Sequence, residues 1–376
     1  HALSQALILN LAMRVAILSP LFESVPPKLY GGTERVVYNL CRGLGKLGIE
    51  VTLFASGDSA VSGAPGAPSA DVPDINVELI PVVKEALRLS KNAIQDHVAY
   101  SYKMLAEVAS RAGSFDIIHN NHDYWMLPLT EMTRVPVLTT MHGRLDLPDI
   151  EAPLMSFPKA CFVSISDSQR LPLPALNWFS TIYHGLEVSD FAFHPKPGSY
   201  LAFLGRIVAD KRPEWAVEIA KLSGVPLKIA AKIEGSCGRD YYDTYVGPHV
   251  DGKFIEYVGE ISEKEKSEFL GNAMALVFPI DWPEPFGLVM IESLACGTPV
   301  LARPCGSVPE LLVDGVTGFS DLDIHGLAAR VGDVARIDRR RCRLWVEQYF
   351  SLQRMTEDYV SVYRHLIDQF IETYSS

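Results

Sequence analysis

The run Asp281-Trp-Pro-Glu284-Pro-Phe286-Gly287-Leu288-Val-Met-Ile-Glu292-Ser-Leu-Ala-Cys-Gly297-Thr-Pro299 constrains the fold more than any other stretch of the chain. The apolar residues Ala275-Leu-Val-Phe278 before it predict a buried strand, and Pro279 to Pro285 predict a loop. From Gly287 the spacing becomes helical, and it stops at Gly297-Thr-Pro299. A strand–loop–helix unit of this kind belongs in an α/β sheet. The start of its helix leaves backbone N–H groups unpaired, and these together with the helix dipole favour a phosphate or a sugar hydroxyl. Glu284 lies in the loop before the helix and Glu292 lies inside it, so the two need not touch and no shared-proton pair is expected. Taken alone, glutamates in such places more often cap the helix, as Glu284 would, or face water, as Glu292 would.

The rest of the chain repeats the pattern. Arg14-Val-Ala-Ile-Leu-Ser19 predicts a strand, and the loop after it holds Gly31-Gly32. A helix follows that ends at Gly48, and then a second strand, Glu50 to Phe54. This β-loop-α-β unit opens a parallel doubly wound sheet, which places ligands at the carboxyl ends of the strands. Gly31-Gly32 suits either a plain turn or close approach to a diphosphate. It does not spell the dinucleotide fingerprint, which lowers a dehydrogenase reading. Residues 57 to 75 predict a surface loop and Asn92 to Ala112 a helix. Two further strands end in histidine, Phe115 to His119 (followed by Asn120-Asn-His122-Asp123) and Val135 to His142, so imidazoles gather at one sheet edge. Another strand, Ala160 to Ser168, and the stretch Ser180 to Gly185 close the first half, and a hinge is expected through Glu187 to Ser199.

In the second half, Tyr200 to Gly205 predicts a strand running into Arg206, and Asp210-Lys211-Arg212-Pro213 precedes a helix. Arg206 and Lys211 there fit either an anion site or a solvated basic loop. The strand Leu227 to Lys232 brings a further cation to the same edge, and Phe254 to Gly259 predicts the next strand. Residues from about 324 onward predict helices whose aromatic and aliphatic spacing serves core packing.

A chain of 376 residues is long enough for two domains, and a net charge of −11 argues against a general nucleic-acid binder. The six cysteines are scattered, without metal-ligand spacing, which suits small, mostly buried residues in a reducing cytoplasm. The histidines show no metal-binding pattern either, so no metal is expected. No stretch approaches a membrane-spanning helix. Residues 1–12 lack the marks of a signal peptide and are expected to be an extension, the chain proper starting at Met13. The expected division is 13–190 as the first domain, 199–350 as the second, and 351–376 as a helix.

Glu284-Pro-Phe-Gly and Glu292 with its trailing Ala-Cys-Gly-Thr-Pro299 resemble the donor-binding signature of the retaining glycosyltransferases of family 4. The resemblance continues through Gly31-Gly32, Leu138-Thr-Thr-Met-His142-Gly, Gly205-Arg206 with Lys211, and Gly306-Ser-Val-Pro309-Glu310. It implies the GT-B arrangement, two facing Rossmann-like domains with the active site in the cleft, and a last helix that crosses back to the first domain. It implies transfer of a sugar from a nucleotide diphosphate sugar, UDP-sugar by general tendency, to a sugar, lipid or metabolite acceptor, with retention and without metal or other cofactor. Arg206, Lys211 and the Gly31-Gly32 loop would meet the diphosphate. Phe286, Gly287, Leu288 and Glu292 would bind the donor, Glu284 would grip the donor sugar, and His142 would touch that sugar near the reacting carbon. Lys232, Val258 and Ile261 are lesser candidates on the nucleotide side, and His119, His122 and Asp123 on the acceptor side. Arg212 stands where the family usually has glycine, which puts close backbone approach there in doubt. A nucleotide-sugar 2-epimerase and a non-catalytic nucleotide-sugar binding protein are the rival readings.

Overall fold

The computed structural model describes residues 13–29, 31–61, 77–88, 90 and 96–375. The expected extension 1–12, residues 62–75 of the expected loop and residues 92–95 of the expected helix lie outside the described residues. The chain divides into two compact units. The first comprises His1–Ile165, Arg170–Gly185 and Leu352–Ser376, and the second Ser166–Gln169 and Leu186–Ser351.

The first unit is built on seven strands, β1 (Arg14–Leu18), β2 (Glu50–Ser56), β3 (Val77–Val83), β4 (Ile117–Asn120), β5 (Val137–Thr140), β6 (Cys161–Ser164) and β7 (Trp178–Thr181). They form one parallel sheet in the order β3-β2-β1-β4-β5-β6-β7. Its central strands are buried on both faces, which explains their near-continuous apolar runs. The chain leaves β1 in one direction and returns to its other side at β4. The order therefore reverses between these two strands, with Leu18 paired to Asn120 at their carboxyl ends. Strand β3 was not expected from the sequence. Pro81 interrupts its apolar pattern and Glu78 faces solvent, both of which an edge strand tolerates.

The C-terminal helix Leu352–Ser375 belongs to this first unit and packs along the helix Gly32–Lys46. Gly43 permits the approach, since a Cβ there would fall 1.9 Å from the Thr356 hydroxyl oxygen. Tyr359 and Tyr363, expected as plain core residues, are buried but also bind through their hydroxyls. Tyr363 lies 2.7 Å from His119 Nδ1, Thr140 lies 2.8 Å from His119 Nε2, and Tyr359 lies 3.0 Å from Thr140. This polar chain ties the helix to β4 and β5.

The second unit is a six-stranded parallel sheet: β8 (Tyr200–Arg206), β9 (Leu227–Lys232), β10 (Ile255–Gly259), β11 (Ala273–Phe278), β12 (Val300–Ala302) and β13 (Gly318–Ser320). Its order is β10-β9-β8-β11-β12-β13, so the reversal falls between β8 and β11. The helices Pro213–Ser223 and Ile324–Val334 bury Ala216, Val217, Ala220, Leu327 and Val331 against Leu201, Phe203 and Ile229 of the sheet. At about 25 cal/mol per Å² of apolar surface, a cluster of this kind supplies the main drive for folding the unit.

Candidate active site

In doubly wound sheets, ligands bind where the strand order reverses. In the second unit that point is flanked by the segments that follow β8 and β11. Arg206 ends β8 and pairs in register with Lys232 at the end of β9, so both cations stand at one edge. Between them lies Glu234, 2.8 Å from Lys232 Nζ and 3.9 Å from Arg206 Nη1.

Beyond Arg206 the single turn Ala209–Lys211 delivers Lys211, which is buried. Its ammonium meets Glu284 Oε2 and lies over the rings of Trp282 and Phe278, 5.0 and 5.5 Å from their centroids. The next residue, Arg212, has φ 48°, a left-handed conformation that glycine adopts at little cost. Arginine holds it through its side chain. Its guanidinium donates to Asp281 at 2.7 Å and stacks 4.7 Å from the Trp215 ring centroid. Arg303 stacks over the same ring at 4.8 Å and donates to the other Asp281 oxygen at 2.6 Å. These hydrogen bonds, led by that from Arg212, hold the Asp281 carboxyl below its usual range. The loops after β8 and β11 are thus fastened together at Asp281, next to the Lys211–Glu284 pair.

A second fastening reaches Glu284 from Gly306-Ser307. The Ser307 N–H donates to the Glu284 carbonyl at 2.9 Å, and the Ser307 hydroxyl donates to the Phe286 carbonyl at 2.6 Å. Gly306 has φ 61°, and a Cβ there would lie 2.3 Å from the Glu284 backbone nitrogen and oxygen. Only glycine fits. Gly287, at φ 84°, then turns the chain into the helix Leu288–Ala295. Phe286 is buried edge-on against Phe350. Glu292, on that helix, is buried and accepts from Lys266 Nζ at 2.9 Å, and Lys266 also pairs with Glu263 at 2.9 Å. Val258, on the edge strand β10, is exposed, and Ile261 lies just beyond that strand's end.

In the first unit the residues after β4 and β5 meet. His142 Nε2 lies 2.9 Å from Asn121 Oδ1, and the ring stacks on His184 with 5.3 Å between centroids. The amide oxygen can only accept, so Nε2 carries the proton. Burial pushes the His142 pKa down to about 3, which keeps the imidazole neutral. His119 has both ring nitrogens bonded to Tyr363 and Thr140 and is fully buried, so it is a structural residue rather than an acceptor contact. His122 is buried 2.9 Å from Ser101 Oγ, and burial lowers its pKa to about 4. Asp123 has φ 53° and accepts from the Tyr124 N–H at 3.0 Å, with burial raising its pKa. Gly31 has an extended backbone (φ −178°), so its need for glycine comes from contact: a Cβ would lie 2.7 Å from Pro27 Cβ. Gly32 opens the helix that follows.

The structure brings Lys211 to Glu284 and Arg206 to Lys232. It separates Glu292 into its own pair with Lys266. Sequence reading missed Lys266, Glu234, Asp281 and Asn121. Lys266 and Glu234 lie in ordinary polar stretches without a signal, whereas Asn121 stands in the Asn120-Asn-His122-Asp123 run that already drew attention. The cysteines are more varied than expected: Cys41, Cys296 and Cys342 are buried, Cys161 and Cys305 partly so, and Cys237 is exposed. Among the described residues no cluster of metal-binding side chains occurs, and no helix is long and apolar enough to cross a membrane.

The family profile described as Glycosyltransferase Family 4 matches residues 30–186, and that described as Glycosyl transferases group 1 matches residues 190–320. The chain is 26% identical to the D-inositol 3-phosphate glycosyltransferase of Mycolicibacterium smegmatis, over 92% of this chain and 86% of that protein. It is also 26% identical to a glycogen synthase of Mycobacterium tuberculosis, over 89% of each. The fold matches a sucrose-phosphate synthase from Thermosynechococcus elongatus with TM-score 0.73 at 20% identity, covering 95% of this chain and 100% of that one. It also matches Anabaena HepE, crystallised with UDP and glucose, with TM-score 0.69 at 15% identity, covering 93% and 99%. The two profiles together span most of the chain, its two parallel α/β sheets are those of the GT-B fold, and the chain belongs to the family 4, group 1 glycosyltransferases.

Proposed function

We propose that this glycosyltransferase moves a sugar from a UDP-sugar to a hydroxyl of an acceptor, with retention of anomeric configuration and without a metal ion. The observation that carries the reading is the Lys211–Glu284 pair at the β8/β11 reversal, directly ahead of the Leu288–Ala295 helix. Lys211 and Arg206 would neutralise the charge that grows on the leaving diphosphate, a role a metal otherwise fills. Lys211 engages one oxygen of Glu284, and a carboxylate has about four acceptor sites, so Glu284 keeps capacity for sugar hydroxyls. Glu292, oriented by Lys266, would accept from the ribose hydroxyls. The leaving phosphate would assist deprotonation of the acceptor hydroxyl on the same face, and neither glutamate would act as nucleophile. His142 is neutral and would serve as a hydrogen-bonding group at the transferred sugar rather than as a proton shuttle. HepE, a fold neighbour, was crystallised with UDP-glucose, which favours UDP among the nucleotides.

The reading is tested by thermal shift against UDP, GDP, ADP and CDP in EDTA, followed by incubation with the labelled sugar of the nucleotide that binds. A ligand at 100 times its dissociation constant adds about 2.7 kcal/mol of stability. Stabilisation by UDP and release of UDP from its sugar support the reading, and binding only in the presence of a divalent cation overturns it.

A further inference from the structure

Asn121 is 3% exposed, and its two side-chain atoms are in different situations. Oδ1 accepts from His142 Nε2, whereas Nδ2 has no hydrogen-bond partner among the described residues. His142 Nδ1 is buried without a partner in the same way. Buried amide donors in folded proteins are almost always satisfied, and one left open at a strand end points to an acceptor that arrives from outside. The loop is built to hold this amide still. Asn120 Oδ1 accepts from the His122 N–H at 2.8 Å, and Asn120 Nδ2 donates to the Asp123 carbonyl at 2.8 Å. The Asn121 N–H donates to the Leu18 carbonyl at 3.0 Å. The strained backbone at Asp123 closes the turn.

We propose that Asn121 is a specificity-determining residue whose side-chain Nδ2 donates to a hydroxyl oxygen of a bound sugar, while its Oδ1 fixes the tautomer of His142. A neutral amide donor and the lone pair of an unprotonated imidazole suit a hydroxyl, which both accepts and donates. They do not suit a phosphate, which would seek cations. The inference rests on the proposed transfer from a nucleotide sugar. The hydroxyl has two possible sources, the sugar of the donor and that of the acceptor.

The test is a ¹⁵N–¹H spectrum of the full chain in which the Asn121 side-chain pair is identified by its disappearance in Asn121→Asp. UDP should leave this pair in place. UDP-glucose, UDP-galactose or UDP-N-acetylglucosamine, whichever calorimetry shows bound, should shift it if the donor is the source; methyl α-glucoside should shift it if the acceptor is. With the bound donor, Asn121→Leu should lower kcat/KM roughly tenfold or more with UDP affinity unchanged. The melting temperature of that variant reports whether it folds, and the wild-type spectrum decides alone if it does not. A side-chain pair that stays still with every sugar shown to bind overturns the proposal. Failure to bind UDP or any of the three nucleotide sugars overturns the UDP-sugar donor reading, and this inference with it.

Discussion

Lys211 and Glu284, seventy-three residues apart in sequence, form a buried ion pair on the loops that follow the neighbouring strands β8 and β11. A buried pair is weak evidence for stability, because desolvating both charges offsets their attraction, but removing one partner strands the other. Lys211→Ala should therefore cost about 3 kcal/mol of stability and weaken UDP binding roughly ten- to a hundredfold. In the double variant Lys211→Met/Glu284→Gln, stability should largely return while UDP affinity stays low. Urea unfolding and calorimetry separate the two effects.

The two glutamates should behave differently. Glu292→Gln removes the charge held by Lys266 and should weaken UDP and the UDP-sugar by a similar factor, roughly tenfold or more. Glu284→Gln should spare UDP and penalise the UDP-sugar, because its partner hydroxyls are absent from the nucleotide. Paired binding isotherms check this, and equal losses for both ligands in Glu284→Gln would make that loop a scaffold.

Gly306 sets the position of Glu284 through the space a side chain would fill. Gly306→Ala combines a positive φ with a Cβ 2.3 Å from the Glu284 backbone, so the loop must move. A loss of about 2 kcal/mol or more and a fall in kcat/KM larger than the fall in UDP affinity are expected. Wild-type kinetics in Gly306→Ala would show that the loop tolerates displacement.

The first unit should be acid-sensitive. Burial holds His119 and His142 at about 3 and His122 at about 4, and His184 well below its ordinary value. In the unfolded chain these groups titrate near 6.5, so their contribution is intact above that pH and is lost as pH falls from 6.5 toward 4. Glu34 works the other way. Burial raises it to about 7, so its contribution is full below 4.5 and is lost as pH rises through 7. Asp123, which burial also raises, works in the same sense as Glu34, and the four histidines against these two carboxyls leave a net loss on the order of 3 kcal/mol between pH 7.5 and 5.5. Hydrogen exchange should show β4 and β5 amides losing more protection than β8 and β11 over this range. Equal loss in both sheets would contradict the account.

Much of the second unit was legible because its signals are local. The apolar run into Phe278, the proline-rich loop and the glycine-bounded helix each dictate their own conformation, and the structure shows β11 at Ala273–Phe278 and the helix at Leu288–Ala295. What escaped was long-range. That Lys266 would reach Glu292, that Asp281 would bridge two arginines stacked on Trp215, and that Tyr363 would reach His119 all depend on chain crossings that no spacing encodes. His119 illustrates the cost: a histidine at a strand end looks available in sequence, and only packing shows that both nitrogens are taken. Arg212 shows the converse, since a departure from the family's glycine is accommodated by ion pairs to Asp281 and Glu214.

The most direct measurement of the central claim is the configuration of the first product. The protein is mixed in EDTA with the α-configured UDP-sugar that it binds, and ¹H NMR follows the anomeric proton of the sugar released to water before mutarotation. The account predicts UDP release with the α anomer formed first, and no further acceleration on adding magnesium or manganese. A β anomer formed first, or turnover that appears only with the metal, would contradict it.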